Sequence, residues 1–376
     1  MIHRRHLSFA AAAAVVTSFN PIRAQSDSKI VLGQSAALTG PAAQLGIQFN
    51  AGARVYFDQL NDKGGIKGRK IELALLDDGY DPERCAENTR KLIADGMFAL
   101  FGYIGTPTSL AALPQVLTSG IPFIAPFTGA MSLREPMHKN VFHLRASYND
   151  ETAQIVKQLY SLGMKRIAVF HQNDAYGKAG LDGVTKALLA LDSKPVAVAT
   201  VERNSVDVST AVKVLAPSNA DAIVQISAYK SCAAFIRAAR AAGYGGQYYN
   251  VSFVGTKALS DELGKEAAGV VISQVVPSPY NSANGTTREF TAAIKAHGKN
   301  VQANYSSMEG YLAARLLADG LARSASPLTT NSFITGMESI GSQSYGGFLI
   351  NLSPTRHVAS SFAEMSLLAG DGRVRT

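Results

Sequence analysis

Cysteine is scarce in this chain: Cys85 and Cys232 are the only two in 376 residues, and neither stands near the end of the N-terminal leader. That argues against a lipid-anchored exported protein. Beyond the leader there is no uninterrupted apolar run long enough to cross a bilayer. The five histidines past the leader, His138, His143, His171, His297 and His357, form no pair at metal-ligand spacing on an expected helix. There is no serine elbow between glycines, no phosphate loop ending in Gly-Lys-Ser/Thr and no intact dinucleotide fingerprint, so no catalytic constellation, cofactor or metal is expected. Asp77 and Asp78 lie side by side, but at a strand end before a capped helix they read as turn formers. A basic run interleaved with aromatics is missing too, so no nucleic-acid surface is expected.

What is present begins with residues 1–24. Arg4 and Arg5 precede an apolar stretch from Leu7 to Val16 and a small residue at Ala24, the layout of a cleavable export signal. Cleavage near Ala24 would remove three arginines and lower the net charge from +8 to +5, a mild bias toward anionic solutes. At 47% hydrophobic and 17% charged, the chain is long enough for two compact domains and too balanced to be largely disordered. Cys85 shares a helical stripe with Thr89, Leu92 and Ile93, and Cys232 shares one with Phe235, Ile236 and Ala239. Both are therefore expected to be free, buried thiols on separate helices.

The most informative stretch is FGYIGTPTSLAALPQVLTSGIPFIAPFTGA, residues 101–130. Two apolar runs each end in small hydroxyl and glycine residues, as parallel strands do where they turn toward a ligand. A helix beginning at Thr106 would aim free N–H groups and partial positive charge at its own turn, which suits a carboxylate. The second run, Ile121 to Ala125, ends in Pro126, Phe127, Thr128 and Gly129, a source of further donors and an aromatic wall.

Strand and helix alternate along the rest of the chain. Strands are expected at Ile30–Ala37, Ile71–Leu76, Arg166–His171, Val196–Val201, Ala222–Ile226 and Val270–Gln274, with amphipathic helices between them. Asp81 with Pro82 opens one helix, and others are expected from Asp150, Asp174 and Lys230. The spacing predicts an α/β chain with parallel sheets covered on both faces and right-handed crossovers. Residues 143–150 and 275–285 are polar or rich in proline and asparagine, and look like crossings between domains. Strands are expected near Gly347–Leu352 and Ser361–Leu368 at the end.

These motifs, in order, resemble a known family. IVLGQSAALTGPAAQLG, NDKGGIKGRKIEL, LLDDGYDP, FGYIGTPTS, FIAPFTG, RIAVFHQNDAYGKAG and IRAARAAG together are similar to the bacterial periplasmic branched-chain amino acid (Leu/Ile/Val-type) binding proteins of ABC importers. The resemblance spans essentially the whole chain after the leader. It implies a type I clamshell: two doubly wound parallel-sheet lobes joined by a three-strand hinge. Lobe one would hold residues 29–146 and 277–355, and lobe two residues 147–276 and 356–376. A monomer without enzyme activity would trap a carboxylate-bearing or amino-acid-like solute in the cleft and deliver it to an inner-membrane ABC permease. A soluble periplasmic sensor would share the same pocket, and no residue separates the two roles.

Carried over by position, the resemblance places Leu45 near the cleft mouth. Tyr103, Thr106 and Thr108 match the loop that holds the ligand carboxylate; Phe127, Thr128 and Gly129 match the second turn; Tyr176 and Tyr229 match aromatics that close from lobe two. Ser252 falls where amino-acid-binding members carry an acid. A buried ammonium without a carboxylate partner is costly, so Ser252, together with bulky Phe127, favours a carboxylate other than an α-amino acid, such as an aromatic acid or amide-like compound.

Overall fold

The computed structural model describes residues 29–376; the expected export signal lies outside them. The chain first builds a parallel sheet from β1 (Lys29–Ala36), β2 (Lys70–Asp77), β3 (Ala99–Phe101), β4 (Phe123–Ile124) and β5 (Val141–Phe142), in the order β2-β1-β3-β4-β5. Between the strands run α1 (Ala43–Asp62), α2 (Pro82–Ala94) and α3 (Thr106–Ser119). Asp81 caps α2 by accepting from the N–H groups of Glu83 and Arg84, with Pro82 at the first position, as the sequence predicts.

The second sheet follows. It contains β6 (Ile167–Gln172), β7 (Val198–Val201), β8 (Ala222–Ile226), β9 (Gln247–Asn250) and β10 (Val271–Gln274), covered by α4 (Tyr148–Ser161), α5 (Ala175–Leu189), α6 (Ser209–Leu215), α7 (Tyr229–Ala241) and α8 (Thr256–Leu263). Helix α4 starts two residues earlier than the sequence suggests, because Ser147 rather than Asp150 is its cap and the two form a reciprocal capping box. Cys85 in α2 and Cys232 in α7 are both free and buried.

The chain then returns to the first lobe through α9 (Gly285–His297), α10 (Tyr305–Arg323) and α11 (Thr330–Glu338). Helices α1 and α10 touch backbone to backbone: a Cβ on Gly52 would collide with the Ser307 carbonyl, and one on Gly310 with that of Phe49. A hairpin of β11 (Gly341–Tyr345) and β12 (Phe348–Leu352) precedes β13 (Glu364–Leu368) and β14 (Val374–Arg375), which complete the second sheet as β14-β13-β10-β9-β8-β6-β7.

Two features depart from an all-parallel reading. Strand β13 joins antiparallel to β10 and β14 antiparallel to β13, and β11–β12 is an antiparallel hairpin. Strand β14 follows β13 through a short turn, while β13 reaches β10 only after α9–α11 and the β11–β12 hairpin.

Crossings between the sheets run side by side. The His143 N–H donates to the His357 carbonyl at 2.8 Å, and the Ala359 N–H donates to the His143 carbonyl at 2.8 Å.

Candidate functional site

The carboxyl ends of both parallel sheets face one another, the place where open α/β sheets take their ligands. In lobe one the chain leaves β3 through Gly102–Gly105. Gly105 sits at φ 98°, where a side chain would be strained and would strike the Tyr80 ring. The turn after β4 lies alongside: the Phe127 N–H donates to the Tyr103 carbonyl at 2.7 Å and the Gly105 N–H to the Phe127 carbonyl at 3.2 Å. The hydroxyls of Thr106 and Thr128 share a hydrogen bond of 2.6 Å that ties the two turns together.

Lobe two presses an aromatic group onto this surface. Phe253, in the short turn Ser252–Val254, packs with its ring centroid 5.6 Å from Phe127, 5.9 Å from Tyr80 and 4.6 Å from Tyr176. Tyr148 lies 5.4 Å from Tyr176. All five rings are buried, so the lobes are shut on each other. Gln172 donates to the Tyr80 hydroxyl at 3.3 Å and Asn204 to the Gly79 carbonyl at 3.2 Å, adding polar links across the cleft.

Charged groups sit at the back of this cluster. Arg145, on the first crossing, forms a bidentate pair with Glu309 of α10 at 2.7 and 2.8 Å, and its guanidinium carbon lies 4.2 Å from the Phe127 ring centroid. Nearby, Arg134 is held by backbone carbonyls of Thr128, Ala130 and Arg145; burial and the like charge of Arg145 lower its pKa to about 10. Glu151 of α4 accepts the Ser252 N–H at 2.8 Å, the Ser252 hydroxyl at 3.1 Å and the Ser273 hydroxyl. Burial raises the Glu151 pKa against the opposing pull of Arg145 and these donors.

Several polar atoms in this region have no partner among the described residues: Arg134 Nε, Arg145 Nη1, Gln172 Oε1 and the Tyr148 and Tyr176 hydroxyls. Buried donors are rarely left unmet, so the cluster retains hydrogen-bonding capacity for a guest or for water.

The sequence-predicted residues separate into groups. Thr106, Phe127, Thr128, Gly129 and Tyr176 gather around the ring cluster, where the Gly129 carbonyl accepts the Tyr148 N–H. Leu45 and Tyr229 sit at the rim: a Cβ on Gly255 of lobe two would strike Leu45, and the Tyr229 hydroxyl lies against the Gln44 backbone. The Thr108 hydroxyl turns back onto the Gly105 carbonyl, so only its backbone N–H is offered. Tyr103 is not in the cleft. It packs with Cys85, Leu92 and Val116 in the core beneath the sheet, its ring edge-on to Phe123 and its hydroxyl accepting from Thr89. Ser252 is spent on Glu151 of α4, which places an acid beside position 252. Among the described residues, no group of three or more His, Cys, Asp or Glu could hold a metal ion.

Sequence reasoning also missed Tyr80, Arg145, Tyr148, Glu151, Phe253 and Glu309. Glu151 left a usable signal, because it falls on the buried stripe Tyr148, Thr152, Ile155, Val156 and Leu159, where an acid is out of place unless it is paired.

A profile of the family described as periplasmic binding protein matches residues 29–370. The chain belongs to the periplasmic binding protein family. It is 26% identical over 333 residues to the Leu/Ile/Val-binding protein of Escherichia coli (strain K12), covering 87% of this chain and 89% of the relative. A solved structure of a possible leucine/isoleucine/valine-binding protein from Rhodopirellula baltica SH 1 superposes with a TM-score of 0.89 at 32% identity, covering 93% of this chain and 96% of that one. A substrate-binding periplasmic protein from Ralstonia solanacearum gives a TM-score of 0.86 at 32% identity, covering 92% and 99%. The type I periplasmic binding fold with its parallel-sheet lobes thus stands on sequence and on structure together.

Proposed function

We propose that this protein is exported, loses residues 1–24, and captures a small carboxylate-bearing solute between its lobes in the periplasm for delivery to an ABC permease. The observation that carries the reading is the set of unmet polar atoms, Arg145 Nη1 and the Tyr148 and Tyr176 hydroxyls, inside an aromatic cluster contributed by both lobes. The relatives named for leucine, isoleucine and valine support a solute of amino-acid size.

On this reading the Thr106 and Thr108 N–H groups at the start of α3 and the Thr106–Thr128 hydroxyl pair receive the carboxylate, while Arg145 supplies positive potential behind it. Phe127, Phe253, Tyr176 and Tyr148 line the remainder. Glu151, beside Ser252, provides an acidic group within the site, so an α-amino acid is not disfavoured on the ground that Ser252 is neutral. Lobe one comprises 29–146 and 277–355, lobe two 147–276 and 356–376, and the crossings act as the hinge. A solute touching both lobes only when they are shut shifts the population toward closure; moving it from mostly open to mostly closed takes about 5.5 kcal/mol of differential affinity. The scheme calls for no cofactor, metal or nucleic acid and no bond-making step.

Calorimetry with L-leucine, L-valine, 4-methyl-2-oxopentanoate, benzoate and phenylacetate tests the anchor. The double variant Thr106→Val, Thr128→Val is expected to bind at least about tenfold more weakly while still folding, since a hydrogen bond to a charged group contributes about 1.5–3 kcal/mol. Unchanged affinity in the double variant would remove Thr106 and Thr128 from the site.

A further inference from the structure

Phe253 stands in the middle of the ring cluster. It is wholly buried, with Tyr176 at 4.6 Å between centroids, Phe127 at 5.6 Å and Tyr80 at 5.9 Å. Its backbone is pinned as well. The N–H and hydroxyl of Ser252, one position earlier, both bond to Glu151. The Val254 N–H donates to the Val251 carbonyl at 3.0 Å and the Gly255 N–H to the Ser252 carbonyl at 3.1 Å, so the turn is tied on both sides of the ring. Phe253 is therefore a fixed stop and not a loose flap.

The spacings around it measure what fits. Ring pairs pack with centroids about 4.5–7 Å apart, so two rings that hold a third between them stand roughly 9 Å apart. None of the three spacings at Phe253 reaches that. Phe127 is covered elsewhere too: the Arg145 guanidinium carbon lies 4.2 Å from its centroid, and Phe49 meets it edge-on at 5.4 Å. Tyr80 and Phe127 follow strands of the first sheet, whereas Phe253 follows β9 of the second. Its contacts with them form only as the lobes shut. A solute seated on the Thr106 and Thr128 turns that reaches far enough to hold Phe253 off Phe127 keeps the lobes apart.

We propose that Phe253 gauges the solute: it seats on Phe127 and Tyr80 only over an aliphatic carboxylate and bars guests that carry an aromatic ring. The inference rests on the carboxylate site proposed above. It sets aside the aromatic acid among the solutes expected on sequence, because the chain's own ring fills the place that a guest ring would take.

Calorimetry on the mature chain tests this with an aliphatic set (propanoate, 4-methylpentanoate, L-alanine and L-leucine) and a phenyl set (3-phenylpropanoate and L-phenylalanine). The wild type is expected to bind at least one aliphatic member, and both phenyl members at least about tenfold more weakly. Phe253→Ala deletes a phenyl group from the wall, and an apolar cavity of that kind accepts a benzene-sized guest. This variant is expected to bind a phenyl member at least about tenfold more tightly than the wild type does. Solution scattering should show the wild type closing on its aliphatic ligand and Phe253→Ala closing on the phenyl one. Phe253→Leu removes less of the wall, is expected to shift preference the same way, and stands in if circular dichroism shows Phe253→Ala unfolded. A wild type that binds a phenyl member as tightly as its best aliphatic ligand, or folded variants that bind phenyl members no better than the wild type, overturns the gauge and leaves the carboxylate site standing. Failure of every protein to bind any member overturns the site, and the gauge with it.

Discussion

At the lobe-one rim Thr106 and Thr128 bond each other, Thr108 bonds its own turn, and Gln34 donates to the Gly102 carbonyl at 2.8 Å; Ser109 alone keeps an unmet hydroxyl there. At the lobe-two rim the Tyr148, Tyr176 and Ser227 hydroxyls, Gln172 Oε1, both side-chain polar atoms of Gln225 and Asn250 Oδ1 have no partner among the described residues. The first rim meets its hydroxyls within its own turns apart from Ser109, with Arg134 Nε and Arg145 Nη1 unmet behind it, while the second holds the larger share of unmet buried polar groups. An unmet buried group costs about 1–3 kcal/mol, so a guest that meets even two of these recovers free energy available only once lobe two has closed on it. On the proposed function, lobe one would be the preformed cradle and lobe two would supply the larger part of the closing free energy.

The largest expected effect tests the frame common to both rims. Glu309→Gln leaves Arg145 buried without its carboxylate, and loss of one partner of such a pair costs about 3–5 kcal/mol, read as a lower urea midpoint. A loss under about 1 kcal/mol would mean that the Arg145–Glu309 pair is not what holds the first crossing to α10.

Next comes the end of β2, where neighbouring aspartates are driven apart. Asp77 is pulled upward by burial but more strongly downward by Thr39, Leu38, Gly79 and Arg84 together, to about 2. Asp78 is raised to about 6 by burial, with Asp77 adding to the rise and bonds from Ser35 and Tyr80 opposing it. Because the folded value of Asp78 exceeds the unfolded one, its contribution is fully present below about pH 4 and is lost as pH rises through about 6. Stability of the wild type relative to Asp78→Asn should therefore fall by about 2–3 kcal/mol across that window. A flat difference would show that Asp78 titrates normally.

The smallest effects bear on the two rims directly. Tyr148→Phe and Tyr176→Phe remove unmet hydroxyls and should raise the stability of the empty protein by about 1 kcal/mol each, whereas Thr128→Val breaks a made bond and should cost about 1 kcal/mol. Equal costs in all three variants would erase the contrast between the rims.

Much of this was legible before the structure. The strand–helix alternation, the Asp81–Pro82 cap, the paired turns at Thr106 and Thr128 and the buried thiols all rest on local patterns, which sequence carries well. Strand β11 did not show, because Ser342, Gln343 and Ser344 are exposed and supply no apolar alternation. Tyr103 went astray because a tyrosine at a strand end reads the same whether its ring turns to the cleft or to the core; the fold decides by packing it on Phe123. Arg145, Glu309, Glu151 and Phe253 are brought together by long-range contacts, Arg145 and Glu309 from 164 positions apart, and no local period records such a meeting.

The most direct test of the central claim is thermal unfolding of the mature protein across matched carboxylates, amides and alcohols of the same carbon skeletons. A carboxylate at a hundredfold excess over its Kd stabilises the folded state by about 2.7 kcal/mol, and the account predicts that at least one does so while its amide and alcohol counterparts do not. A melting temperature that stays flat across every carboxylate, or one that rises equally with the uncharged counterparts, would contradict it.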